Sequence, residues 1–94
     1  MAKFTRRIHL SELVADGLLH PGEVLLWRRP RLDELHRAFL LKDGRLALAD
    51  GTCHDSPSSA ASHIAGRPVA GWGAWETADG IPIDTFRYRY MRAA

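Results

Sequence analysis

The residues best suited to chemistry lie between Asp55 and Trp75, in the stretch DSPSSAASHIAGRPVAGWGAW. Ser56, Ser58 and Ser59 fall in the first turn of what reads as a helix. Free backbone N–H groups and the helix dipole favour a phosphate there, and hydroxyls can add hydrogen bonds to the same anion. The plainer reading is capping, which accounts for Ser56 and leaves Ser58 and Ser59 exposed. Trp72 and Trp75 follow, set among small residues. Two indoles could wall a planar ligand such as a nucleobase, with Gly71 and Gly73 letting it approach the backbone. The alternative is that one or both bridge sheet and helix in the core. Arg67, just past the helix, is placed either to reach a phosphate or to be solvated.

Other chemistries fit less well. Cys53, His54 and His63 are the candidates for a metal, but a structural zinc site wants four ligands in recognisable spacing. Adjacent Cys53 and His54 on a strand would also point to opposite faces. His54 lies two residues from Ser56, yet a serine nucleophile needs a positioned base and an oxyanion site, and neither a nucleophile elbow nor paired carboxylates occur. The expectation is a non-enzymatic chain with no metal and no cofactor.

The elements that position these residues can be read outward from Ser56-Pro57, which is helix-start chemistry. Ala60, Ala61, Ile64 and Ala65 share a face at helical spacing, and Gly66 can stop the helix in a left-handed cap. This predicts a helix over 57–65. Upstream, Leu10, Leu13 and Val14 predict a short first helix closed at Asp16-Gly17, with Leu18 and Leu19 packing beneath it. EVLLWR (23–28) reads as a strand, and RRPRLDE (28–34) as a solvated loop. Asp43-Gly44 and Asp50-Gly51 are hairpin signals. They would join HRAFLLK, RLALA and TCHD as successive strands of an antiparallel meander. Leu46 and Leu48 alternate with Arg45, Ala47 and Ala49, as in a half-buried strand. Near the C-terminus Phe86, Tyr88 and Tyr90 fit a strand, whereas Ile83, Phe86 and Tyr90 fit a helix face. The fold class is α+β: a small meander of about four strands, with the central helix lying across one face.

Ninety-four residues make one domain, with residues 1–7 (Lys3, Arg6, Arg7) as an ordered edge or a basic arm. No apolar run approaches the roughly 18 residues of a membrane span. The polar N-terminus has no signal-peptide character, and the single cysteine, Cys53, fits a reducing compartment, so cytoplasmic residence is expected. Net charge is only +2, but 11 of the 13 basic residues are arginine, suited to bidentate phosphate contacts. A GC-rich genome gives the same enrichment. Arg28, Arg29 and Arg31, then Arg37, Lys42 and Arg45, then Arg87, Arg89 and Arg92 are three basic groups, diluted by Asp33, Glu34 and Asp43. Arg28, Arg45 and Arg87 are the candidate phosphate contacts among them.

The order helix, GLL-x-PGE, strand, hairpins with DGR and DG, then SPSSAA, AG and GWGAW resembles the RAMA domain, from about Ile8 to Arg92. That domain is found with bacterial restriction and methylase systems and in some eukaryotic chromatin proteins. The resemblance implies a helix packed on a small antiparallel sheet, a helical C-terminal segment, and a binding role toward DNA with a modified base, methyladenine being the usual proposal. By position, Gly17-Leu18-Leu19 and Pro21-Gly22 match the family's early turn. Asp50-Gly51, Ser56-Pro57-Ser58 and Ala60-Ala61 match its central motif, and Gly71-Trp72 with Trp75 its aromatic pair. One departure is Ala70, where the family often has an asparagine; an amide can pair with an adenine edge and a methyl cannot. Family members are commonly fused to nuclease or methylase domains, so a free-standing reader is expected to work through a partner such as a restriction or methylase protein, by competition, or as a small regulator, with a weak homodimer as a further option. The runner-up reading is a protein-interaction or dimerisation adaptor using Trp72 and Trp75, since tryptophan and arginine also dominate protein interfaces.

Overall fold

The computed structural model describes residues 7–93. The proposed arm at 1–7 therefore lies, except for Arg7, outside the described residues. A short helix α1 (Leu10–Ala15) leads into a sheet of β1 (Val24–Arg29), β2 (Glu34–Leu40), β3 (Leu46–Leu48) and β4 (Cys53–His54). The strands pair antiparallel in chain order, the meander the Asp-Gly spacing implies. Then come α2 (Pro57–Ala65), the single-turn α3 (Gly71–Ala74) and α4 (Ile83–Ala93). The α+β class holds.

Both Asp-Gly hairpins close alike. Gly44 and Gly51 donate their N–H to Leu41 and Leu48, and each sits at φ 89° in the left-handed region. This is a tight turn followed by a left-handed residue, a three-residue loop that glycine enters without steric cost. The connection from β1 to β2 corrects the expected loop at 28–34. Arg29 pairs with Glu34 and Arg28 with Leu35, so only residues 30–33 turn. Pro30 starts a 3-10 turn, and Asp33 takes φ 55°, which a short polar side chain tolerates. β2 thus begins at Glu34 and ends at Leu40, two residues earlier at each end than HRAFLLK suggests.

A third Asp-Gly pair, Asp79-Gly80, builds a small hairpin outside the main sheet, with Glu76 bridging Pro82. Glu76 and Leu26 exchange backbone hydrogen bonds of 2.8 Å each way. The free edge of β1 is thereby covered at its centre, and the chain around α3 and α4 is fastened to the sheet.

The alternation in the strands is a true facing pattern. Leu25, Ala38, Leu40, Leu46 and Leu48 are buried against the helices, whereas Val24, Leu35 and Phe39 are exposed on the other face. Leu10 and Leu13 of α1, Leu19, and Ala60 and Ala61 of α2 complete the core with Trp75, Ile83 and Phe86. The C-terminal segment resolves to helix because Ile83, Phe86 and Tyr90 find packing partners on one face only. The Tyr90 hydroxyl donates to Glu12 Oε1 at 3.1 Å, joining the last helix to the first. Among the described residues no helix is long and apolar enough to cross a membrane.

Candidate nucleic-acid interface

α2 forms as its residues dictate. Ser56 Oγ accepts the Ser59 N–H at 3.0 Å, Pro57 occupies the first helical position, and Gly66 closes the helix at φ 73°. The first turn is nevertheless a reduced anion cradle. Pro57 has no N–H, and the Ser59 and Ala60 N–H groups are engaged by Ser56. Hydroxyls take over much of the polar role there.

GWGAW docks onto this same turn. Gly71 is buried, and a Cβ built on it would overlap the Pro57 carbonyl and the Ser58 nitrogen. Its N–H donates to Ser58 Oγ at 2.9 Å. The wholly buried Trp75 donates its indole N–H to the Pro57 carbonyl at 3.1 Å and lies 5.9 Å from the Trp27 ring. Two expectations are corrected. The glycine that was to admit a ligand to the backbone admits the backbone of α2 instead. Trp75 belongs to the core and offers no face to a ligand or partner, which also removes half of the surface the adaptor reading needs. Gly73 has open space around it.

Trp72 remains partly exposed and lines a cleft of about 960 Å³ with Ser56, Ser58, Ser59, Arg87 and Tyr88. The Arg87 guanidinium carbon lies 4.6 Å from the Trp72 ring centroid, a cation–π distance. Asp84 holds that guanidinium in place, with Nε to Oδ1 at 2.7 Å. Tyr88, exposed on α4, was not singled out from the sequence; its strand-like alternation with Phe86 and Tyr90 concealed that helix α4 turns it to the cleft.

A hydrogen-bond chain sets the polarity of this cleft. Asp50 Oδ1 accepts both the N–H and the hydroxyl of Thr52, at 2.9 and 2.7 Å, and Asp50 Oδ2 lies 2.7 Å from His63 Nε2. These donors, the Thr52 hydroxyl first, hold the Asp50 carboxyl well below the usual carboxylate range. The Thr52 hydroxyl proton being committed to Asp50, His54 Nε2, 2.9 Å away, must donate to Thr52 Oγ1. With the ring proton on Nε2, His54 Nδ1 is the acceptor for the Ser59 hydroxyl, 3.1 Å away. Ser59 consequently presents lone pairs. Ser56 and Ser58, which each accept a backbone N–H, keep a hydroxyl proton to donate. The cleft wall offers donors and an acceptor beside an indole face.

The remaining candidates lie elsewhere. Arg28 and Arg67 line a second cleft, about 690 Å³, with Trp27, Arg29, Arg31 and Ala70. In the sequence Trp27 reads as a strand residue, and its place directly before Arg28-Arg29 is the signal for this cleft. Arg45 lines neither cleft. It sits in the turn between β2 and β3, its guanidinium 2.8 Å from Asp43, and its N–H and guanidinium lower the Asp43 pKa. The three basic groups are thus divided. Among the described residues no group of three or more His, Cys, Asp and Glu is arranged to hold a metal.

A four-stranded antiparallel meander with its helices on one face, and two arginine-bearing clefts either side of the 67–72 connection, defines the class of small α+β domain. The chain belongs to the RAMA family, described as Restriction Enzyme Adenine Methylase Associated, whose model matches residues 2–94. That description ties it to restriction–modification systems. No curated protein matches the chain.

Proposed function

We propose that this protein is a non-catalytic DNA-binding module that reads base modification, adenine methylation first, in a restriction–modification setting. The observation carrying this reading is the Trp72 cleft: a partly exposed indole with the planar Arg87 guanidinium held over its ring, a layered surface on which a base can stack, beside hydroxyls of mixed donor and acceptor polarity. A base must leave the stack to enter such a cleft, at a cost of a few kcal/mol, and stacking on an aromatic returns about 1–3 kcal/mol. Contacts to the phosphate backbone supply the remainder; being few they leave binding weak, and they make it salt-sensitive. Ala70 lines the other cleft, so no amide at that position assists recognition here. Burial of one methyl group then supplies about 0.8 kcal/mol, roughly a fourfold preference for a methylated base. A restriction or methylase protein is the partner through which such a reader acts.

Fluorescence anisotropy with labelled duplexes, unmodified, adenine-methylated or cytosine-modified, tests this. The expected result is preference for one modified duplex, lost in a folded Trp72→Ala protein. Failure to bind any duplex at low salt retires the proposal.

A further inference from the structure

The second cleft has a different composition from the first. It is walled by the tip of the β1–β2 hairpin and by the 67–70 segment, and it carries four arginines, Arg28, Arg29, Arg31 and Arg67, with no acidic residue in its lining. Two of the four are partly neutralised from outside. Arg28 gives Nε to Glu76 at 3.2 Å, leaving its terminal nitrogens available, and Arg29 reaches Glu34 at 3.3 Å while lying 4.7 Å from the Trp27 centroid. Arg31 and Arg67 are exposed and form no ion pair among the described residues. Both walls are stiff. Pro30 and Pro68 fix their own φ angles, and the hairpin behind Arg31 is closed by the left-handed Asp33.

We infer that this cleft grips the phosphodiester backbone of duplex DNA, through Arg31 and Arg67, and supplies affinity without reading the base. Charge complementarity names the occupant: planar guanidinium forks match phosphate oxygens bidentately. The position of the cleft names the same duplex. Residue 70 lines this cleft and Trp72 the other, so their Cα atoms are at most about 7.6 Å apart. That is less than the roughly 12 Å width of a major groove. The two clefts therefore adjoin across the 67–72 connection, and a duplex laid along that connection is the occupant placed against both. The Trp72 cleft discriminates and the arginine cleft holds. This inference rests on the DNA-reading proposal, and the two fail differently.

The test is an Arg31→Ala/Arg67→Ala double variant, chosen because neither side chain packs in the core, with folding checked by thermal melting. Anisotropy is measured with unmodified and modified DNA duplexes, and with a duplex RNA of the same sequence, at several salt concentrations. Loss of two phosphate contacts makes the slope of log affinity against log salt shallower by about 1.8. Both DNA duplexes weaken together, and their affinity ratio stays that of the wild type. An unchanged slope and affinity overturns the inference and leaves the reader standing. A lost ratio overturns it by making this cleft part of the reading site, and so does preference for the RNA. Absence of wild-type binding to every duplex overturns both.

Discussion

Gly71→Ala is expected to damage the fold, and Gly73→Ala to leave it intact, although both glycines sit in the same helical turn. Position 71 has no positive φ, so alanine is permitted there by backbone conformation. The obstacle is space, because the new Cβ would overlap three backbone atoms of α2, and backbone cannot rotate aside as a side chain does. α3 must therefore move. Overpacking of this kind costs about 1–3 kcal/mol. Movement also stretches the Gly71 N–H to Ser58 bond and the Trp75 indole bond to Pro57. Each is worth about 1 kcal/mol net, offset by about 1 kcal/mol of helix propensity gained by alanine. The net loss is about 2–4 kcal/mol. For a domain of this size each kcal/mol shifts Tm by about 4–8 °C, so Tm should fall by at least about 8 °C. At Gly73 nothing lies within 4 Å of the added methyl, and Tm should hold or rise by a few degrees. Circular-dichroism melts of the three proteins decide it. A Gly71→Ala protein melting with the wild type would refute the close approach of α3 to α2. Equal damage from both changes would refute the distinction between them.

Other outcomes follow from single contacts. Ser56→Ala removes the cap on α2 and should cost about 1 kcal/mol in urea unfolding. Trp75→Phe removes the indole bond that the Pro57 carbonyl accepts in addition to its helical one, costing about 1 kcal/mol before any cavity is counted. Asp50 has a depressed pKa in the folded protein, so its stabilisation is present above the ordinary carboxylate pKa and is lost as pH falls below about 4. Asp50→Asn should therefore flatten the acid limb of Tm against pH, and an unchanged limb would contradict the hydrogen-bond chain from His63 to Ser59.

Much of the fold was legible because its signals are local. Ser56-Pro57 and Gly66 mark both ends of α2, and Asp43-Gly44 and Asp50-Gly51 mark two of the turns, since capping and left-handed residues are set by neighbours in sequence. Asp79-Gly80 carries the same signal, but nothing around it reads as a strand. The bridge it serves is one residue pair wide at each step, Leu26 with Glu76 and Glu76 with Pro82. The C-terminal segment stayed ambiguous for a different reason. Ile83, Phe86 and Tyr90 satisfy a helix, Phe86, Tyr88 and Tyr90 a strand, and the packing of one face against the core, with the Tyr90 hydroxyl reaching Glu12 of α1, selects between them.

The candidate site was legible as a set of residues and not as an arrangement. SPSS and GWGAW each read as half of a ligand site, yet their first use is to recognise one another. Gly71, Ser58, Pro57 and Trp75 close the contact between α2 and α3, and that contact is what leaves Trp72 at the surface with hydroxyls beside it. Residue types that suit a ligand also suit a tight helix junction, because both need small residues, hydroxyls and an indole with a donor. Spacing along the chain cannot separate the two uses; the three-dimensional partner of each atom can. The arginines show the same effect in reverse. Arg28 and Arg67 lie far apart in sequence and share a cleft, while Arg67 is five residues from Trp72 and lines a different one. On the proposed function, a connection that gives its basic residue to one cleft and its aromatic to the next would separate holding a duplex from inspecting it, and mutations in the two clefts should therefore affect salt dependence and discrimination independently.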